Sequence, residues 1–367
     1  MKLAVRELRR QFRKFLPTTA ALALLVVLLL VLGGLLDGLF LGSTGALRSQ
    51  KSELAVFSDS ARDSIIRSSI DPATRATIES VDGVAATYGF GVALVGARVP
   101  GETAIADAAV MGYEGDIDGV PAPPAPGQAW ADKSLKADGV SEGDIVKVGP
   151  TRIPLEVIGF VSDSNFLQQG ALWVEPDTWR QVLAESRPGA AVDDGVFQTV
   201  WVDLAPGADA QEVANAIDEA TGTTKTLTRE EAVMAIPGIK EQKSTFTQII
   251  GVTFFVSGLV VALFFALLTL ERTAMLGVLK AVGASSRQLV ATLGTQTLLV
   301  TALAYVIGAS VAFAMTLAIP PDVPITLTVS RAVYVAVGVF VAALIGGAIS
   351  LRRIIKIDPA SAIGTGT

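Results

Sequence analysis

The sequence predicts a membrane protein of four transmembrane α-helices, with a mixed α/β extracytoplasmic domain inserted between the first and second. Composition is the first observation behind this. Half the chain (51%) is hydrophobic and only 17% is charged, where a soluble domain carries about a quarter charged residues. The second is a split in charge. Residues 43–245 hold 16 Lys+Arg against 30 Asp+Glu, a net of −14, and the remainder holds 13 against 5, a net of +8. The third is length: four apolar runs are each long enough to cross a bilayer, and a polar, acidic middle separates the first from the second.

Residues 1–15 are basic (Lys2, Arg6, Arg9, Arg10, Arg13, Lys14), with Leu3, Val5, Leu8, Phe12 and Phe15 between the charges. At helical spacing the apolar residues gather on one side. An amphipathic helix on the inner membrane surface is expected, the alternative being a flank that only sets topology. The first span is placed at 16–42. Its core, Leu16 to Leu36, is nearly unbroken Leu, Val and Ala, and about 21 residues at ~1.5 Å each match a hydrocarbon core of ~30 Å. A basic start before an apolar run also describes a signal peptide, but this run exceeds the usual h-region of about 7–15 residues, so an uncleaved span is expected.

Residues 43–248 form the inserted domain with its stems. Ser52 to Ile70 reads as a polar helix continuing from the first span. Val84 to Val99 and Ala104 to Tyr113 read as strands, and residues 120–127 (VPAPPAPG) as a stiff loop. Ile145 to Val148 and Ile153 to Val161 pair as a hairpin about Gly149-Pro150. Asp177 to Glu185 is a helix and Phe197 to Asp203 a strand. Asp209 with Glu212, and Thr228 with Glu231, have the spacing of helix-starting capping boxes. Pro237-Gly238 breaks the chain, and Ile239 to Gln248 is a polar stem.

The second span is placed at 249–270, the third at 290–319 and the fourth at 332–351, where Gly338, Gly346 and Gly347 allow close helix approach. A connection at 271–289 joins the second and third, a link at 320–331 joins the third and fourth, and residues 352–367 are a tail. Basic residues decide orientation. The N-terminal flank, the connection (Arg272, Lys280, Arg287) and the tail (Arg352, Arg353, Lys356) carry them, whereas 320–330 carries none, with Arg331 at its edge. Both termini and the connection are therefore expected in the cytoplasm, and the large domain outside a plasma membrane.

The chain has no Cys and no His, which removes thiolate metal sites, disulfides and His-based triads. It also lacks a G-x-x-x-x-G-K-[ST] phosphate loop. No catalytic residue, resident metal or bound cofactor is expected, and no nucleic-acid partner. The spans are free of charge apart from Asp37 at the outer end of the first. A hydrophilic path through the bilayer is therefore not expected, and cargo taken from the membrane or handled outside it is.

The connection itself is a short apolar helix, Leu276 to Val282 with one charge at Lys280, stopped by Gly283 and followed by a cap at Ser285 or Ser286. It could seat in a partner's groove or lie on headgroups. Its residues, ERTAMLGVLKAVGASSRQL, resemble the E-R-x-x-E-I-G-V-x-[KR]-A-[LIV]-G-A-[ST]-x-x-[QD]-[IL] segment of the FtsX/MacB/LolC family of ABC transporter permeases, the mechanotransmission class. Met275 departs from it, standing where the family often has Glu. In the tail, Arg352, Arg353, Ile357-Asp358-Pro359 and Ala362 resemble the family's ending, with Ala360-Ser361 in place of a Glu-Ala pair. In the domain, residues 130–135, Gly143 to Gly149 and Val157 to Val161 resemble the MacB-type core.

The resemblance implies a non-catalytic permease homodimer with a separate cytoplasmic ATPase, which would hold ATP and Mg. Coupling would run through Glu271, Arg272, Leu276, Gly277, Lys280 and Gly283. In overall build the chain is most similar to the stand-alone haem-export permeases of Gram-positive bacteria, the HrtB type. That implies haem as a candidate substrate entering between the first and second spans, near Phe40, Arg48, Glu53, Phe57, Lys240, Glu241, Lys243 and Phe246. Aromatic faces would pack the porphyrin and Arg48, Lys240 or Lys243 would pair its propionates. An iron ligand would have to be Tyr, Met or a carboxylate. The same residues also fit a solvated stem with interface aromatics. Two other functions remain open on sequence: an FtsX-like regulator of an extracellular hydrolase, and a peptide or lipoprotein extruder of the MacB or LolC kind.

Overall fold

The computed structural model describes residues 12–190, 192–271, 285–320 and 323–355. The chain divides into two compact units, Leu39–Gln242 and a second made of Met1–Gly38 with Lys243–Thr367.

Among the described residues the second unit holds four helices: α1 (Phe12–Arg48, whose C-terminal part lies in the first unit), α6 (Ile239–Glu271, whose first turn lies in the first unit), α7 (Ser286–Ala318) and α8 (Val329–Ile355). Each carries a window apolar and long enough to cross a membrane. In α1 half of that window is buried within the protein, against 22–28% in the other three, so α1 is the innermost helix. Phe15, Leu22 and Ala23 of α1 meet Val261 of α6, Val300 and Ala304 of α7 and Ala343 of α8. Without a hydrophobic drive between helices in lipid, close backbone approach supplies the packing. A side chain at Gly346 of α8 would overlap the Gly258 carbonyl of α6, so these helices meet backbone to backbone. Gly38 does the same for the link, because a Cβ there would overlap the Pro324 carbonyl.

The large domain has nine strands: β1 (Leu54–Ser58), β2 (Val84–Arg98), β3 (Ile105–Tyr113), β4 (Gln128–Asp132), β5 (Ile145–Val148), β6 (Ile153–Val161), β7 (Gly170–Val174), β8 (Thr199–Leu204) and β9 (Thr224–Thr228). Four helices accompany them: α2 (Pro72–Glu79), α3 (Pro176–Ser186), α4 (Ala210–Thr221) and α5 (Arg229–Ala235). The strand order is β3-β7-β4-β6-β5-β2-β8-β1-β9, and β3 also pairs with β2. Six strands therefore close on themselves, and β8, β1 and β9 extend from the free part of β2. β2 makes this possible by its 15-residue length. One edge pairs with β3 over residues 90–98. The other pairs with β8 over 84–90 and with β5 only at 97 and 98.

Burial follows the sequence pattern. In β6, IPLEVIGFV, alternate residues are buried, as a one-sided strand requires. β7 is buried throughout, pairing in parallel with β3 and antiparallel with β4. The helices start where short acceptors cap them. Asp71 accepts from the Ala73 and Thr74 amides, Glu175 from Asp177 and Thr178, and Asp209 from Gln211 and Glu212. The capping box expected at Thr228 and Glu231 is complete in both directions.

One expected element is different. Residues 52–70 are not a helix continuing from the first span. α1 ends at Arg48, Leu54–Ser58 is strand β1, and two 3-10 turns follow at Asp59–Ala61 and Ile65–Arg67. The physical reason is the run Leu54 to Phe57, all buried. Flanked by β8 on one side and β9 on the other, it buries both faces, which a polar surface helix cannot do. Arg62 and Asp63, at φ of 51° and 61°, turn the chain immediately afterwards. The strands β4, β7 and β9 and the helix α2 are additional to those read from sequence.

Candidate substrate groove and charge lock in the membrane unit

Two features of the membrane unit carry chemistry. The first is a groove between α6 and α8 of about 410 Å³, lined by Phe254, Phe255 and Leu259 from α6 and by Val341 and Ile345 from α8, with Gly258 and Gly346 where the helices meet. Every side chain in its lining is apolar. Phe255 is 74% exposed and Leu259 59%. Phe254 is held beneath, its ring edge-on to Tyr334 at 5.9 Å between centroids. Between two membrane spans such a groove holds an occupant by shape and van der Waals contact, not by removing apolar surface from water, and it offers no partner to a charged headgroup.

The second feature is an ion pair. Asp37 of α1 accepts from Arg331 Nε at 3.0 Å, and its other oxygen pairs with Arg331 Nη2. The Thr328 hydroxyl donates to the same carboxylate at 3.1 Å and accepts from the Arg331 amide at 3.2 Å, so Thr328 caps α8 while it braces the pair. The two side chains are 19% and 17% exposed. The Arg331 stem lies against Gly33, and its guanidinium sits 5.9 Å over the Tyr334 ring. The Thr326 amide donates to the Gly34 carbonyl at 2.9 Å. The link after α7 is thus fastened to the outer end of α1. Tyr305 donates to the Ala332 carbonyl at 2.8 Å and ties α7 to the same end of α8.

The residues expected to hold substrate fall into several environments. Phe57 is 1% exposed in the large-domain core, so it packs that core and presents no ring to a ligand, which corrects its assignment. Phe40 rests half-buried against the same core. Arg48 is taken by Asp163 at 2.5 Å and by the Thr44 hydroxyl at 3.0 Å. Glu53 accepts from the Leu204 amide at 3.2 Å. Lys240 and Glu241 are exposed in the first turn of α6. In the membrane unit Lys243 is exposed, and Phe246 packs against the cluster that includes Leu30 and Val335. Of the expected coupling residues, Glu271 is the last residue of α6, and Arg272, Leu276, Gly277, Lys280 and Gly283 lie outside the described residues, as does most of the N-terminal flank. The groove and the Arg331 partnership were not expected. Asp37 was visible as the one acid in the spans, and Arg331 as the charge edging the link.

Among the described residues, four membrane-length helices with an α/β domain inserted after the first define a multi-pass membrane protein. Residues 248–359 match the family model described as the FtsX-like permease C-terminal domain. The chain carries an FtsX-like permease domain and is homologous to HrtB permeases. A Staphylococcus epidermidis protein assigned as the hemin transport system permease HrtB is 22% identical over 239 residues, covering 65% of this chain and 64% of that protein. The corresponding protein of a second strain is 28% identical over 142 residues, covering 39% and 41%. An uncharacterized ABC transporter permease of Mycobacterium tuberculosis is 26% identical over 248 residues, covering 66% and 63%. The chain thus spans less than two thirds of the length of these relatives. Among solved structures, the periplasmic region of MacB from Actinobacillus actinomycetemcomitans aligns with a TM-score of 0.35 and 12% identity, covering 51% of this chain and 94% of that one. The extracellular domain of YknZ from Gram-positive bacteria aligns at 0.33 and 16%, covering 47% and 98%.

Proposed function

We propose that this chain is the permease subunit of an ABC efflux transporter. A separate cytoplasmic ATPase would act through residues 271–289 on a permease homodimer, and a hydrophobic cargo would leave the membrane. Both termini lie in the cytoplasm in this reading, and the large domain faces outward. The observation that carries it is the pairing of an FtsX-like domain over 248–359 with a wholly apolar groove between two of that domain's helices. The one acid of the spans, Asp37, is consumed in an ion pair. That leaves the described bundle without a free charge to lead a hydrophilic solute, and supports cargo drawn from lipid.

Haem is the leading cargo, supported by the likeness to HrtB proteins. A porphyrin is a flat apolar body with two carboxylates. The groove suits the body and has nothing for the carboxylates, so the propionates would need cations elsewhere. Lys240 and Lys243 are exposed and form no ion pair among the described residues, whereas Arg48 would first have to leave Asp163. With no His and no Cys in the chain, iron ligation would fall to Tyr, Met or a carboxylate.

The test is a reconstitution. The full chain is co-purified with its ATPase into nanodiscs and titrated with hemin, reading the Soret band and ATP hydrolysis together. A saturable Soret shift with a change in hydrolysis rate is expected. If hydrolysis couples but hemin changes neither signal, the permease assignment stands and haem is discarded for another lipophile. If no ATPase associates at all, the permease assignment itself fails.

A further inference from the structure

The ring of six strands in the large domain has a gap. On its second edge β2 faces β8 only up to Phe90 and β5 only from Ala97, so residues 91–96 have no strand opposite them there. Chain direction shows which peptide groups are left. Gly89 bonds toward β3, accepting from the Glu114 amide at 3.2 Å, so odd residues of β2 face β3 and even residues face the gap. At one end of the gap the Val92 amide donates to the Gln198 side chain at 2.6 Å, an amide standing in for a missing strand. At the other, the Gly96 carbonyl accepts from the Gly149 amide at 3.0 Å. Between them the main-chain groups of Leu94 face an open slot of about 340 Å³, bounded by Leu94 to Gly96, Arg98, Ile105, the Gly149-Pro150 turn and the end of α3.

The rim of this slot is basic in a domain of net −14. Arg98 and Arg187 both line it, both are exposed, and neither guanidinium has an ion-pair or hydrogen-bond partner among the described residues. Lys147 is the cross-strand neighbour of Arg98 on β5 and is also exposed. The Ser186 hydroxyl is buried without a partner and lies 2.9 Å from where a Cβ on Gly149 would stand. No acid is among the residues lining the slot; the nearest in register is Asp107 on β3, opposite Gly96. Glu185 on α3 is occupied by Thr151 and Gln181.

We propose that this slot docks an extended, carboxylate-bearing peptide segment of a separate protein on the side of the membrane that the large domain faces. The segment adds a short strand against Leu94, and its acidic side chains pair with Arg98 and Arg187. A second copy of this chain fits poorly, because a two-fold contact at the slot would set like charges face to face.

The probe is a fluorescein-labelled heptapeptide of alternating valine and glutamate, titrated against the full chain in nanodiscs by anisotropy. Saturable binding is expected, weakened at least tenfold by Arg98→Glu with Arg187→Glu and abolished when glutamate is replaced by lysine. Hydrogen exchange on the unaltered chain is a second readout that does not depend on the variant folding, with slowed exchange expected at the Leu94 and Gly96 amides on peptide binding. Equal binding of the lysine peptide would overturn the proposal, as would no change in exchange at these amides. So would full competition by free glutamate at the peptide's own concentration, which would make the slot a simple anion site, or peptide-independent self-association through this face.

Discussion

At the scale of residues, the ion pair between Asp37 and Arg331 does more than neutralise an acid in a span. Two charges from positions 294 apart in sequence meet through two oxygens, with a hydroxyl completing the shell. Removing one partner leaves the other buried and uncompensated, which costs about 3–5 kcal/mol for a buried pair. Asp37→Asn and Arg331→Gln are therefore each expected to lower stability by about 3 kcal/mol, read as thermal unfolding in detergent. The exchange Asp37→Arg with Arg331→Asp should recover part of that loss; a double variant no better than either single one would mean the charges do not act as a pair. A smaller effect belongs to Asp71, the cap of α2. The Thr74 amide and hydroxyl hold its carboxyl below the usual carboxylate range. A depressed pKa in the folded state means the stabilisation is present above the unfolded pKa and is lost as pH falls through the folded one. Asp71→Ala should cost about 1 kcal/mol near neutral pH, a difference that shrinks on acidification below about pH 4. A pH-independent difference would show that the charge plays no part.

At the scale of elements, what could be read from sequence divides by where an element's partners lie. The four spans were legible because a membrane helix satisfies its backbone internally and needs only length and apolarity. Their observed helices run past the expected ends, as α6 does by including the stem from Ile239. The hairpin of β5 and β6 was legible because its partners are a turn apart. β1 was not: its four buried residues are strand-forming only because β8 and β9, some 150 positions on, stand on either side. The groove was invisible for a different reason. Phe255, Leu259 and Val341 look the same in sequence whether they face lipid or a cavity, and only the Gly258 and Gly346 contact sets the cleft between them. The groove can be tested by filling it. Ala262→Phe projects a ring into the space beside the Gly346 contact; it should reduce photolabelling of α6 by a lipophilic diazirine at least fivefold. Undiminished labelling would show that lipid, not the groove, was being reported. In the 271–289 connection, Gly277→Asp or Lys280→Glu should lower recovery of the ATPase on co-purification. Unchanged recovery with coupled activity would remove this segment from the coupling role.

At the scale of the whole molecule, the division of charge is the feature that a mechanism has to use. An acidic domain with a locally basic slot and a basic-ended membrane unit are separate compact bodies, joined through the continuous helices α1 and α6. A cargo that is mostly apolar would reach the unit that has an apolar groove, and its polar end would have to be met elsewhere. That predicts a dissociation between cargo classes. A neutral porphyrin ester and hemin share the macrocycle and differ in the propionates, so both should compete for the α6–α8 groove in the reconstituted transporter. Lys243→Glu, in the same unit as the groove, should weaken hemin and leave the ester unchanged, because a cation paired with a carboxylate contributes nothing to an uncharged analogue. The measurement is the apparent affinity of each ligand from its effect on ATP hydrolysis, at an ionic strength near 0.15 M so that exposed charges are screened as in the cell. Equal weakening of both ligands would mean Lys243 acts on the fold or on coupling. No weakening of either would place the recognition of the carboxylates away from the start of α6.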